Sequence, residues 1–150
     1  MDAARLVAQA ERAMGSDLRP EEIVAEAWQA YELTEAVVRL LDERATRVAG
    51  SGPPGHPEDG YPDEARRSGA GPGTVPSAAG GRRAARLTTV RDPDGTLRAL
   101  RVLLGEIGLA VVDLIGSAAD EQAYWSCVEA MDAVDEAKDR LRELARVDAG

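Results

Sequence analysis

Residues 96–117 read TLRALRVLLGEIGLAVVDLIGS, and the fold is decided here. Leu97, Leu100, Leu104, Ile107, Val111, Leu114 and Ile115 recur at helical spacing and make one face of an α-helix. Val102, Leu109 and Val112 lie toward the other side, beside Gly105 and Gly116. A helix that is apolar most of the way round is expected to be the most buried element, with its glycines admitting neighbouring backbone. Arg101, Glu106 and Asp113 interrupt it too often for a membrane span. The apolar surplus on its second side is also what another subunit would cover, so the pattern predicts self-association as a homodimer.

Other helices can be read on either side. Leu6, Val7, Ala10 and Met14 place a short helix over residues 1–14, stopped by Gly15. Pro20 opens a second helix, because a first helical turn does not need its missing N–H, and Glu21 and Glu22 complement the helix dipole. That helix is predicted to reach Ala49, with Ile23, Val24, Ala27, Tyr31, Thr34, Val38, Leu41, Ala45 and Val48 inward; Leu33, Val37 and Leu40 widen the stripe. Asp92-Pro93-Asp94-Gly95 reads as a turn, after a short helical turn within 84–90. A fourth helix opens at Asp120 and runs through Tyr124, Cys127, Val128, Met131, Val134, Leu141 and Ala145 to about Val147.

Residues 50–81 differ in kind. GSGPPGHPEDGYP and SGAGPGTVPSAAGG concentrate glycine and proline, and a stretch this long without periodicity reads as a disordered, solvated connector. The single histidine, His56, falls in it. The chain is therefore expected to be all-α: one helical-bundle domain over 1–150, a four-helix up-down bundle with one short and three long helices, interrupted by a linker at about 50–81.

Composition narrows the function. Hydrophobic residues are 44%, enough for a core, and they are mostly Ala, Leu and Val, with aromatics at only 3%. Net charge is −9, which opposes binding to phosphate backbones and anionic membranes. One cysteine can neither staple the fold nor build a thiolate metal site, which fits a reducing cytoplasm; no signal peptide is expected at the N-terminus. Arginine stands almost everywhere in place of lysine, and asparagine is missing. That bias reflects a GC-rich genome and says nothing of binding.

Few constellations could carry chemistry. Trp28 and Tyr31 begin helix two, Tyr124 and Trp125 begin helix four, and these two helices should be parallel. Four of the five aromatic residues would then gather at one end, with both tyrosines inward and both tryptophans on polar borders, as a binding surface requires. The plainer reading is that these rings plug the bundle. Glu32 and Glu35, with Glu129 and Asp132, form ExxE and ExxD pairs that could hold Mg²⁺ between two helices. This resembles the all-α nucleoside triphosphate pyrophosphatases, but there the motifs lie close in sequence, and here nearly the whole chain separates them. Glu35 and Glu43 also have arginines four residues on, and the acids at 129–143 continue one solvated stripe. Glu106 and Asp113 share a face of the apolar helix; Arg5, Arg12 or Arg44 could pair with them, or solvent could. No Glu-x-x-His, phosphate loop or Cys–His dyad exists, so neither cofactor nor catalytic residue is expected.

IVAEAWQA (23–30), LLGEIGLAVV (103–112) and YWSCVEAMDAVDEAKDRL (124–141) resemble a family of small uncharacterised proteins of Streptomyces-type actinobacteria. The resemblance implies lineage and a helical fold, and it carries no functional residue across. Three readings follow. The first is a non-enzymatic regulatory or adaptor protein acting through another protein or itself, with Arg66, Arg67, Arg82 and Arg83 as a strap against acidic stripes. The second is the Mg²⁺-dependent enzyme. The third is a small-ligand binder with an open pocket between Trp28 and Trp125.

Overall fold

A computed structural model describes residues 1–49 and 82–149. The expected disordered connector, with His56, Arg66 and Arg67, lies outside the described residues. Four helices form the bundle: α1, Ala3–Met14; α2, Pro20–Ala49; α3, Pro93–Gly116; and α4, Glu121–Ala149. Among the described residues there is no strand, only an isolated parallel bridge between Asp2 and Thr89.

Helix direction follows from the contacts. Tyr31 meets Glu136 and Glu35 meets Arg140, so α2 and α4 run parallel with a stagger. Short connections reverse the chain between α1 and α2 and between α3 and α4, which gives the up-down order. Helices α2, α3 and α4 pack against one another, while α1 covers α3 and the adjoining part of α2, on the side away from α4. Leu6, Leu33, Leu100, Leu103, Leu104, Ile107 and Leu141 are fully buried, so one apolar cluster draws on all four helices. Burial of such leucines is the main term favouring the fold.

Each helix starts where its capping chemistry allows. Asp2 caps α1 by accepting from Ala4 N at 3.1 Å. The Glu22 carboxylate accepts from Arg19 N at 2.8 Å, the outward half of a capping box, and that N–H, helped by the Arg19 side chain, holds Glu22 below its usual carboxylate pKa. Asp120 accepts from Ala123 N at 2.8 Å ahead of α4. The start of α3 corrects the sequence reading: Pro93, Asp94 and Gly95 are its first turn, and Asp92 caps it through Gly95 N at 3.1 Å. A turn and a capped helix start share the same Asx hydrogen bond, and proline suits both, so local sequence does not separate them.

Two further expectations are corrected. On α2 the buried line is Ala30, Leu33, Thr34 and Val37, whereas Tyr31 and Leu41 are half-buried and Ala45 and Val48 are exposed. The inward direction of α2 is set jointly by α3 and α4, and from Asp42 to Val48 no residue of it is buried. On α3, Gly105 and Gly116 do not receive a neighbouring backbone, since a Cβ at either would meet nothing within 4 Å. Gly108 is the glycine buried against α4, where a Cβ would lie 3.7 Å from Met131 and Val134 and 3.6 Å from Lys138 Nζ.

Between the described halves, residues 82–91 form a strap along α2. Arg83 sits opposite Glu26, a 3₁₀ turn spans Ala84–Arg86, and the carbonyl of Val90 accepts from Arg44 Nη1 at 2.8 Å. The levels of Glu26 and Arg44 are about 27 Å apart along α2, and the strap spans them only with the reach of the Arg83 and Arg44 side chains at its two ends, since its seven residues include the 3₁₀ turn. Its end pairs with the start of the chain: Ala3 N donates to Thr89 O at 2.9 Å and Thr88 N to Met1 O at 3.0 Å. The helical turn expected within 84–90 is therefore only a single 3₁₀ turn, because Thr88 and Thr89 give their backbone bonds to Met1 and Ala3 instead.

Candidate functional site

The sequence placed the aromatic residues at one end of the bundle as a group, and the structure resolves them into two separate pairs. Trp28 and Tyr31 meet edge to face with centroids 6.1 Å apart, half-buried against the core. Tyr124 and Trp125 do the same at 5.3 Å and are exposed, Trp125 by 55%. The stagger of the parallel helices separates the pairs. With Tyr31 level with Glu136, Trp125 is level with Pro20, about 12 Å along the axis beyond Trp28 at 1.5 Å per residue. Tyr124 was expected to point inward, but α2 only begins at that level and offers nothing to pack beneath it. The Tyr31 hydroxyl donates to Glu136 Oε2 at 3.2 Å; burial first, then Glu35 and Glu136, push its pKa upward.

The four carboxylates are occupied or dispersed. Glu35 stands 3.2 Å from Arg140 Nε across the α2–α4 interface, where the sequence had set it beside Arg39. Glu32 faces Arg82 of the strap at 3.8 Å. Glu129 and Asp132 are exposed on α4. Among the described residues no group of three or more His, Cys, Asp or Glu side chains converges as a metal ion requires. Glu106 and Asp113 are exposed, and Arg44, one of their candidate partners, is spent on the strap carbonyl. Cys127 is buried and its thiol is pushed up by desolvation, the opposite of an activated nucleophile.

Clefts are small. One, of about 140 Å³, lies between Val38, Asp42, Arg140, Glu143 and Leu144. Another, of about 210 Å³, lies where the strap crosses Ala36, Arg39, Leu40 and Glu43. Both fall short of the roughly 300–1,000 Å³ usual for a small-molecule site, and neither is lined by an aromatic ring.

Two features remain that could act. In the strap, Arg83 places Nη1 2.6 Å and Nη2 3.2 Å from the two oxygens of Glu26, while its backbone N–H donates to Gln29 Oε1 at 2.8 Å. Glu26 is only 6% exposed, so the pair is largely desolvated, and a bidentate guanidinium–carboxylate match is the arrangement that tolerates this. The sequence suggested the arginines of the strap but not their partners. The signal was present: Glu26 is an acid inside the apolar run IVAEAW, at a position a helix buries.

The second feature is the outer face of α3. Val102, Leu109 and Val112 are exposed by 54, 74 and 52%, and with Gly105 and Gly116 they form a stripe spaced three and four residues apart. Charges border it, Arg98 and Arg101 toward the start of the helix, Glu106 and Asp113 toward its end. Scattered exposed apolar residues need no explanation, but a heptad-spaced row with charged borders has the pattern of a helix–helix contact. No described helix is long and apolar enough to cross a membrane.

A family model described as a family of unknown function (DUF6099) matches residues 1–147, and the chain belongs to that family. All three stretches that suggested an uncharacterised family lie within the match. No curated protein and no solved structure matches the chain.

Proposed function

We propose that this chain is a non-enzymatic helical adaptor or regulatory protein that works through protein–protein contact and associates with itself. The observation that carries the reading is the outer face of α3. A bundle with three mutually packed helices has buried the apolar surface it needs, yet Leu109 remains 74% exposed in the middle of an apolar row. Leaving such a row in water costs free energy in proportion to its area, about 25 cal/mol per Å², so a partner that covers it is favoured. We place the protein in a reducing cytoplasm on its single, buried cysteine, and in an actinobacterium on the resemblance carried by residues 23–30, 103–112 and 124–141. The strap's Arg82 and Arg83 against Glu32 and Glu26 support the tether role foreseen for these arginines.

Native mass spectrometry on protein isolated gently from its own cells tests the reading. A protein assembly, of identical or different chains and without a bound small molecule, is the expected result. A monomer carrying the mass of a nucleotide or a metal ion would overturn it.

A further inference from the structure

We propose that the occupant of the α3 face is a second copy of this chain, docked antiparallel about a two-fold axis beside Ile107. The inference rests on the face being a contact surface and adds its partner and its register. Let a second α3 be laid antiparallel with its midpoint at residue 107. Val102 then falls opposite the partner's Val112, and Leu109 opposite the partner's Gly105. Leu109 is the most exposed residue of the row, and Gly105 is a gap with nothing within 4 Å of the place a Cβ would occupy. The protruding side chain thus meets the open socket, twice, by symmetry.

Charge follows the same register. Arg98 lies across the partner's Gly116, a second position with no Cβ and open space around it, and within one turn of the partner's Asp113, whereas Arg101 falls on the opposite flank from that acid. The basic start of one helix covers the acidic end of the other, and the two helix dipoles oppose. A parallel pair would instead stack Arg98 on Arg98 and leave Gly105 facing Gly105, with neither socket filled. One feature opposes the antiparallel pair: the two copies of Glu106 come within about 3 Å of one another along the axis on the same flank, with Asp113 beside them, at a rim where water and salt screen them. A single helix crossing buries less than the roughly 1,600 Å² of a standard interface, so the pair is weak and exchanging, with dissociation on the order of 100 µM.

Cysteine cross-linking reads the register directly, and buried Cys127 gives a silent background. In the antiparallel pair Val102 lies about 15 Å along the axis from the partner's Val102, too far for a disulfide, but next to Val112. Val102→Cys alone and Val112→Cys alone are expected to stay uncross-linked under mild oxidation, and their mixture to form the mixed disulfide. Efficient cross-linking of either variant with itself would overturn the antiparallel register while leaving self-association standing. Arg98→Glu is expected to weaken association about tenfold, and the double variant Arg98→Glu, Asp113→Arg to restore it. No weakening in the single variant, or no recovery in the double, also overturns the register. If neither the mixture nor any single variant cross-links at millimolar concentration, the second copy is the wrong occupant, and an adaptor role through a different protein is then judged by the assemblies isolated from cells.

Discussion

Thr96 shows how an individual residue here is held against its own chemistry. It is 1% exposed at the base of α3, and its hydroxyl has no hydrogen-bond partner, whereas the equally buried Thr34 donates to Ala30 O at 2.8 Å. A buried hydroxyl without a partner costs roughly 1–3 kcal/mol, so Thr96→Val, which keeps the shape, should stabilise the protein by about 1 kcal/mol. A denaturant midpoint that falls instead would show that the hydroxyl is satisfied in solution. Glu26 is the opposite case. Glu26→Ala strands Arg83 in a largely desolvated position and should cost about 3 kcal/mol, read from the shift in urea midpoint, whereas exposed Asp139, paired with Arg142, should cost under about 1 kcal/mol when replaced. Tyr31 supplies a pH dependence. Its phenol titrates above the ordinary value, so the unfolded chain loses that proton first as pH rises. Its contribution is complete below the ordinary tyrosine pKa of 10.0 and is lost as pH climbs through the raised folded value. Urea melts at pH 9 and 11 should show this loss, and Tyr31→Phe should reduce it.

At the scale of elements, α3 serves two purposes at once. Its inner face, Leu100, Leu103, Leu104, Ile107 and Val111, is fully buried and fixes the core. Its outer face tolerates change in the monomer because little touches it. Gly105→Ala separates the two. Alanine in a helix interior is favoured over glycine by roughly 0.5–1 kcal/mol, and nothing near Gly105 obstructs a Cβ, so thermal stability should rise. The same methyl group fills the socket for Leu109 of the second copy, so dimerisation should fall while stability rises. If both rise together, Gly105 is not a socket. Much of this was legible beforehand. The 3.6-residue period gave four helices, and the second apolar side of α3 was visible from Val102, Leu109 and Val112. What periodicity could not give is direction within the apolar arc. It spread burial evenly round α3 and assigned close packing to Gly105 and Gly116, whereas the neighbours chose Gly108. The extended course of Leu87–Val90 was likewise hidden, because Thr88 and Thr89 bond to Met1 and Ala3 and Val90 to Arg44, all far away in sequence.

For the whole molecule, the arrangement is a bundle whose cover helix α1 and strap are tied to each other and to α2. Thr88, Thr89 and Arg91 bond to residues 1–3, Val90 to Arg44, and Arg83 to Glu26 and Gln29. The stagger between α2 and α4 is a property of the assembled bundle, and no local pattern encodes it. That is why the aromatic residues read as one cluster and stand as two pairs. The carboxylates of ExxE and ExxD were spaced correctly along each helix, but the assembled surface gives two of them to arginines and leaves the other two in water. The proposed adaptor role rests on the α3 face. Its role is tested most directly by sedimentation velocity on the wild type and on Leu109→Arg across about 10 µM to 1 mM, the span that brackets a weak pair. The expected result is a sedimentation coefficient that climbs toward the dimer for the wild type and stays at the monomer for the variant, with unchanged helical circular dichroism. Identical curves for the two proteins would contradict the account.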